Sequence, residues 1–288
     1  MPIILYNSEI WAPFLDYDYS KWNVGQIERV CMQYLKRILG VNRSATNELV
    51  WGELGRHPLL AKVMIRNIRY INYVKNKCDD ILVKQAFNFD RTSTSTRPKI
   101  DNLFKTFGSE FNESGIQPPM EQSKVKQNKV INSLFAAIWT KETKHYTKAQ
   151  LFLKFKDRNS YSSYLSMFMF RKHRVALTKL RISDHSLEIE HGRHHWPRID
   201  RATRVCKLCK QEVEDEFHFL IRCTTYATER NHLFHSISAL YPNFVHLNDE
   251  NKYIYLMSQE NNDLWHRLGQ QLVLRLKKRD DLLIDINA

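Results

Sequence analysis

Glycine and proline are scarce, with eight of each in 288 residues. All-β and loop-rich folds draw on both residues for their many turns, so this scarcity excludes them. Long apolar runs are missing as well. No stretch reaches the ~18 apolar residues that a membrane-spanning helix requires, so no span is expected. The N-terminal run Met1 to Tyr6 has no basic flank and stops at Asn7, Ser8 and Glu9. It therefore lacks the pattern of a secretory signal. Cysteine is limited to Cys31, Cys78, Cys206, Cys209 and Cys223. Five thiols in a chain of this length do not make a disulfide framework, and the expected setting is a reducing, intracellular compartment. Acidic residues are also in deficit: 44 Lys and Arg face 31 Asp and Glu, leaving a net charge of +13. An excess of this size points to a polyanionic partner or an anionic surface.

What is present reads as helix. Residues 26–39 place Ile27, Val30, Cys31, Tyr34, Leu35 and Ile38 at helical spacing, with Gly40 as the stop. Thr46 is placed to cap a short helix that Gly55 ends, and Pro58 suits the first turn of a longer one reaching about Lys75. Its stripe is Leu60, Val63, Met64, Ile68 and Ile71. Residues 79–89, 121–155, 226–240 and 264–278 continue the pattern. Tyr161, Tyr164, Leu165 and Phe168 form a further one-face stripe. The fold class expected is mostly α, with helical bundle segments and a small irregular insert. The domains read linearly. Residues 1–90 are an N-terminal helical region and 91–99 a Ser/Thr-rich linker. Residues 100–200 are a helical region that opens on Ile100, Leu103, Phe104, Phe107 and Phe111 and ends in a basic segment. Residues 201–230 are a cysteine module, and 231–288 the C-terminal helices.

The insert carries the chemistry. Cys206, Cys209, His218 and Cys223 follow the spacing C-x2-C-x8-H-x4-C. Zn²⁺ in structural sites takes four S or N ligands tetrahedrally, and two cysteines two residues apart put both sulfurs on one turn around the metal. One structural Zn²⁺ is the cofactor expected, with no open position for catalysis. The alternative is that the thiols pack as small hydrophobes and His218 packs its ring. Cys31 and Cys78 read as structural thiols.

A basic stretch leads into this module. Residues 171–210 hold eleven basic and four acidic side chains, net +7, so over half of the excess charge lies in forty residues. Trp196 and the histidines His185, His191, His194 and His195 are interleaved with it. Arginine outnumbers lysine, which suits bidentate phosphate contacts. The residues expected to contact nucleic acid are Arg171, Lys172, Arg174, Lys179, Arg181, Arg193, His194, His195, Trp196, Arg198 and Arg204. The alternative is a solvated basic face.

The run LTKLRISDHSLEIEHGR over 177–193, followed by Pro197, Arg198, Cys206 to Cys209, Glu214 to Leu220, Cys223 and Tyr226, resembles a known family. It is similar to the C-terminal region of reverse-transcriptase polyproteins of non-LTR (LINE-type) retrotransposons of animals. Leu5 to Trp11, Glu53 to Leu59 and the stretch from Tyr255 to Arg279 are similar to the same proteins. The resemblance implies RNA or DNA as partner, held in part by the zinc knuckle. It also implies the upstream polymerase region of a retroelement protein as a further partner, and residence in nucleus and cytoplasm. The chain looks like the tail of such a polyprotein, truncated upstream of Met1. A reverse transcriptase binds two Mg²⁺ through a Tyr/Phe-x-Asp-Asp turn between strands. Asp79 with Asp80 and Asp280 with Asp281 lie in helical contexts instead and read as solvated charges. No catalytic site is expected. The competing expectations are a protein-interaction scaffold or a non-functional transposon remnant.

Overall fold

The computed structural model describes residues 5–11, 18–92 and 120–287. The Ser/Thr-rich stretch from residue 93 onward and the stripe from Ile100 to Phe111 lie outside them. The fold is mostly α. In chain order the helices are α1 (Ser8–Trp11), α2 (Tyr19–Val24), α3 (Gln26–Leu39), α4 (Asn47–Leu54), α5 (Leu59–Lys75), α6 (Leu82–Thr92), α7 (Met120–His145), α8 (Ala149–Phe155), α9 (Arg171–Arg181), α10 (Glu188–His194), α11 (Ala227–Leu240), α12 (Asp249–Ser258) and α13 (Asn262–Asn287). The described residues form no β-strand, only the isolated bridges Leu54 with Tyr161 and Val205 with Val213. None of their helices is long and apolar enough to cross a membrane.

The chain falls into two compact units interleaved in sequence. Unit 1 is drawn from Met1–Tyr34 and His57–Trp139, unit 2 from Leu35–Arg56 and Thr140–Ala288. In unit 1 the α5 stripe Leu60, Val63, Met64, Ile68 and Ile71 is fully buried, as its spacing requires. A carboxylate is buried with it. Glu28 accepts from Trp22 Nε1 (2.7 Å) and from the Leu59 backbone N–H (2.9 Å), one of the orphan donors that open α5. Burial, the largest influence, raises the Glu28 pKa against these two bonds.

On α3 the buried line is Glu28, Cys31, Met32, Leu35 and Leu39, while Val30, Tyr34 and Ile38 stay more than half exposed. The expected stripe is thus rotated by one position. The reason is Glu28: a carboxylate that finds internal donors goes in, and a hydrophobic pattern cannot count it. A second correction concerns residues 161–168. Only the 3₁₀ turn Ser163–Leu165 forms there, Tyr164 alone of the four is fully buried, and Phe168 is fully exposed. The backbone before it pairs with the end of α4 through the Leu54–Tyr161 bridge and a bond from Ser162 N to Glu53 O (3.0 Å). That pairing holds the chain extended and prevents a helix. Gly55 makes the close approach possible. Its φ is +56°, and a Cβ would lie 2.3 Å from the Tyr161 nitrogen.

The core of unit 2 gathers Leu177 and Leu180 of α9, Phe219 and Tyr226, Ile237 of α11, Tyr253 and Met257 of α12, and Trp265, Leu268 and Leu272 of α13. At its centre Arg181 is buried. Its Nε donates to Glu53 Oε1 (2.8 Å) and a terminal nitrogen donates to the Met257 carbonyl. Its guanidinium lies over the Phe155 ring at 4.5 Å. Tyr164 donates to the other Glu53 oxygen (2.9 Å). Lys156 donates to Ser162 (2.6 Å), and burial pulls its pKa down to about 8 against the attraction of Glu53.

Removing one partner of a buried, hydrogen-bonded pair leaves a bare charge, which costs about 3–5 kcal/mol. Glu53→Ala is therefore expected to destabilise unit 2 by about that amount in urea denaturation. The double change Glu53→Gln with Arg181→Met is expected to cost less than the two single changes combined. Strict additivity would contradict the coupling.

Candidate metal centre

The local fold of residues 204–223 follows from backbone bonds. Cys206 N donates to Glu212 O (2.9 Å), Lys210 N to Cys206 O (2.9 Å) and Glu214 N to Arg204 O (2.9 Å). These bonds close a tight loop around the Val205–Val213 bridge, with Lys210 in left-handed backbone at φ 56°. Cys206 and Cys209 sit on that loop. The return segment is the π turn His218–Arg222, started by Asp215 Oδ1 accepting from His218 N (2.8 Å). It is closed by Cys223 N donating to His218 O (2.8 Å). On an α-helix, residues five apart point about 140° away from each other. The wider π turn stacks them, and so His218 and Cys223 converge.

The ligand atoms of Cys206, Cys209, His218 and Cys223 all lie within 4.8 Å of one another. Cys209 Sγ is 3.2 Å from His218 Nε2, and the Cys206 and Cys223 sulfurs are 4.0 Å apart. Bond lengths of about 2.3 Å to sulfur and 2.0–2.1 Å to nitrogen give tetrahedral edges of about 3.5–3.8 Å. The cluster's separations, from 3.2 Å up to at most 4.8 Å, bracket those edges, and it could hold one metal ion. All but Cys209 are buried. His218 Nδ1 is 3.3 Å from Glu212 Oε2, so the tautomer protonated there leaves Nε2 to the metal.

No protein-family model, curated protein or solved structure matches the chain. The assignment of the centre therefore stands on its geometry and surroundings. Behind the loop, Glu214 Oε1 accepts from the Cys206 thiol (3.7 Å). Arg279 of α13 grips the same carboxylate with Nε (2.8 Å) and Nη2 (2.6 Å). Arg275 donates to Leu220 O (3.2 Å), Lys278 to Thr225 O (3.2 Å) and Arg230 to Cys223 O (2.6 Å). These cations suit a cluster of three thiolates and one imidazole, which carries about one negative charge around a divalent ion. The ligands also shift one another's protons. Burial opposes a charged His218, but Cys206, Glu212 and Cys209 prevail and hold its pKa up at about 9. The bond to Cys223, then burial, push the Cys206 thiol up to about 12, and the same bond lowers Cys223. A metal must displace these protons, so acid weakens loading.

The basic stretch divides between surface and interior. Arg171, Lys172, His194, His195, Trp196 and Arg198 are exposed, and Arg174 and Lys179 are half-buried. Three expected contacts are corrected. Arg181 is the buried partner of Glu53. Arg204 is buried and donates to Ile189 O (2.9 Å) and Ile199 O (2.6 Å). Arg193 pairs with Glu190, its side chain only 12% exposed. In each case the guanidinium has internal acceptors, so none of the three offers itself to a phosphate. His185 is likewise not a surface group but sits buried, 2.9 Å from Glu216. Three further cations are exposed, Arg201, Lys207 and Lys210; Lys207 follows Cys206 and pairs with Glu188 (2.9 Å), Lys210 follows Cys209, and Arg201 lies 3.7 Å from Asp215. Their adjacency to the ligands was the available signal. Cys31 is buried and Cys78 exposed.

Elemental analysis after gel filtration is expected to find one metal ion per chain, absent from Cys206→Ser with Cys209→Ser. Well-folded wild type without metal would sink the centre. Arg279→Ala, which strips Glu214 of its counter-charge, is expected to weaken metal affinity by about 10–100-fold in competitive chelator titration.

Proposed function

We propose that this chain is a nucleic-acid-binding module built around one structural Zn²⁺, and that it derives from the C-terminal region of a non-LTR retrotransposon polyprotein. The observation that carries the reading is a Cys₃His cluster whose first two ligands, Cys206 and Cys209, close a forty-residue stretch of net charge +7. Three thiolates and one imidazole favour zinc, and four protein ligands close the site, so its role is structural. Zinc would fix the loop that carries Lys207 and Lys210, with Arg198, Arg201 and the 92%-exposed Trp196 in the preceding segment. Exposed lysines and arginines laid along a nucleic acid release condensed counterions, which gives affinity without a deep pocket. Trp196 supplies a free ring for stacking on a base. The role requires no chemistry of the chain itself. Asp79 and Asp280 are exposed, their side chains 88% and 64% accessible.

A second reading, a scaffold that captures a protein partner, draws on Leu82 and Phe89 of α6, each 78% exposed. Such a scaffold would ignore nucleic acid.

Binding to RNA and DNA probes is measured across a salt series. Neutralising Arg198→Ala with Lys210→Asn, the latter chosen because asparagine tolerates left-handed backbone, is expected to flatten the log–log salt slope by about one per cation removed. Binding that is absent, or indifferent to salt, would end the nucleic-acid reading.

A further inference from the structure

Phe168 and Phe170 lie in the segment without regular secondary structure between the 3₁₀ turn and α9. Phe168 is 100% exposed, Phe170 is 73% exposed, and Met169 between them is buried in the core of unit 2. Met169 anchors the segment in the core while the rings on either side of it stay in solvent. Two neighbouring phenyl rings in water run against the hydrophobic effect.

The surroundings say what kind. Phe170 lines a hollow of about 310 Å³ together with Lys172 and His173 of α9 and Gln270, Val273 and Leu274 of α13. The helices come together because α13 has Gly269 at the contact, where a Cβ would stand 2.9 Å from His173 Cβ. The rim is cationic from both sides. Arg171 and Lys172 are exposed at the start of α9, and no acidic residue occurs between Asp157 and Asp184. On α13 the exposed Arg267, Gln270, Leu274 and Lys277 share one face at helical spacing, with no acidic residue between Asp263 and Asp280. The patch combines the fully exposed Phe168, a Phe170 ring set edge-to-face against His173 at 5.6 Å, an apolar hollow with polar His173 and Gln270 at its wall, and a cationic rim.

We propose that this patch binds single-stranded nucleic acid, with bases stacked on Phe168 and Phe170 and with phosphates against Arg171, Lys172, Arg267 and Lys277. The inference rests on the nucleic-acid reading above and adds to it a second surface and a preference. Bases in a duplex are covered by their neighbours, whereas an unpaired strand offers flat faces to aromatic rings. A base edge can use the amide of Gln270 and the ring of His173, whereas an acyl chain cannot. The stacking is indifferent to sequence because every base has a π-face.

The test uses the full chain and fluorescence anisotropy at fixed salt, with a labelled unpaired oligo(U) or oligo(dT) and a duplex hairpin of equal charge. Phe168→Ala with Phe170→Ala is expected to weaken single-strand binding by about tenfold or more while duplex affinity moves by less than about twofold. Phe168→Tyr with Phe170→Tyr is expected to restore it. Both rings are exposed, so metal content and melting temperature are expected to be unchanged, which separates lost binding from lost fold. No loss on the single strand, or equal loss on both probes, overturns the inference. Wild type that binds duplex in a salt-dependent way but ignores the single strand overturns it too, and leaves the general nucleic-acid reading standing. Failure of wild type to bind either probe ends both. Loss in the alanine variant of binding to phosphatidylserine vesicles, with oligonucleotide binding intact, would reassign the patch to a membrane surface.

Discussion

Unit 2 depends on the buried pair of Arg181 and Glu53. A guanidinium is removed from water only where its donors are met, and Glu53, the Met257 carbonyl and the Phe155 ring meet them. These partners come from α4, α12 and α8, so a single side chain of α9 fixes the end of that helix against three others. Because Arg181 is locked at the C-terminal end of α9, the N-terminal end is free to present Arg171 and Lys172 outward.

The same division recurs around the metal centre. Of the basic side chains leading into it, Arg204 ties carbonyls together inside, and Arg193 is spent on Glu190. Those left outside belong to the loop and the segment before it: Arg198, Arg201, Lys207 and Lys210. The centre itself is held from behind by α13, whose Arg275, Lys278 and Arg279 each reach a different point of the segment 214–225. A surface charge count would assign all these cations to a ligand, whereas burial assigns them to different tasks.

Much of the fold was legible. The bounds of α3 and α4, the stop at Gly55 and the α5 stripe follow from local spacing and from glycine stops, which are properties of neighbouring residues, although Thr46 opens α4 without a side-chain cap bond. The Cys₃His cluster that could hold a metal ion was legible for a similar reason, since its four residues are compressed into eighteen positions. What sequence could not give were relations across long separations. Glu53 is 128 residues from Arg181, and nothing near either residue announces the other. The rotated face of α3 hinges on Glu28 finding a donor at Leu59. Phe168 looked like core because its spacing from Tyr164 is helical, and it is exposed because residues 161–162 are held against α4 instead. The interleaving of the two units is of the same kind, as it depends on which distant segments pack.

The grip of Arg279 on Glu214 spans 65 residues. Small metal-binding loops are commonly treated as cassettes that can be cut out and moved between proteins. In this chain the ligands are contiguous but the support is not. A peptide of residues 201–230 would retain all four ligands, yet Glu214 beside Cys206 would face water or a thiolate instead of an arginine. The loop is a local sequence feature with a non-local foundation.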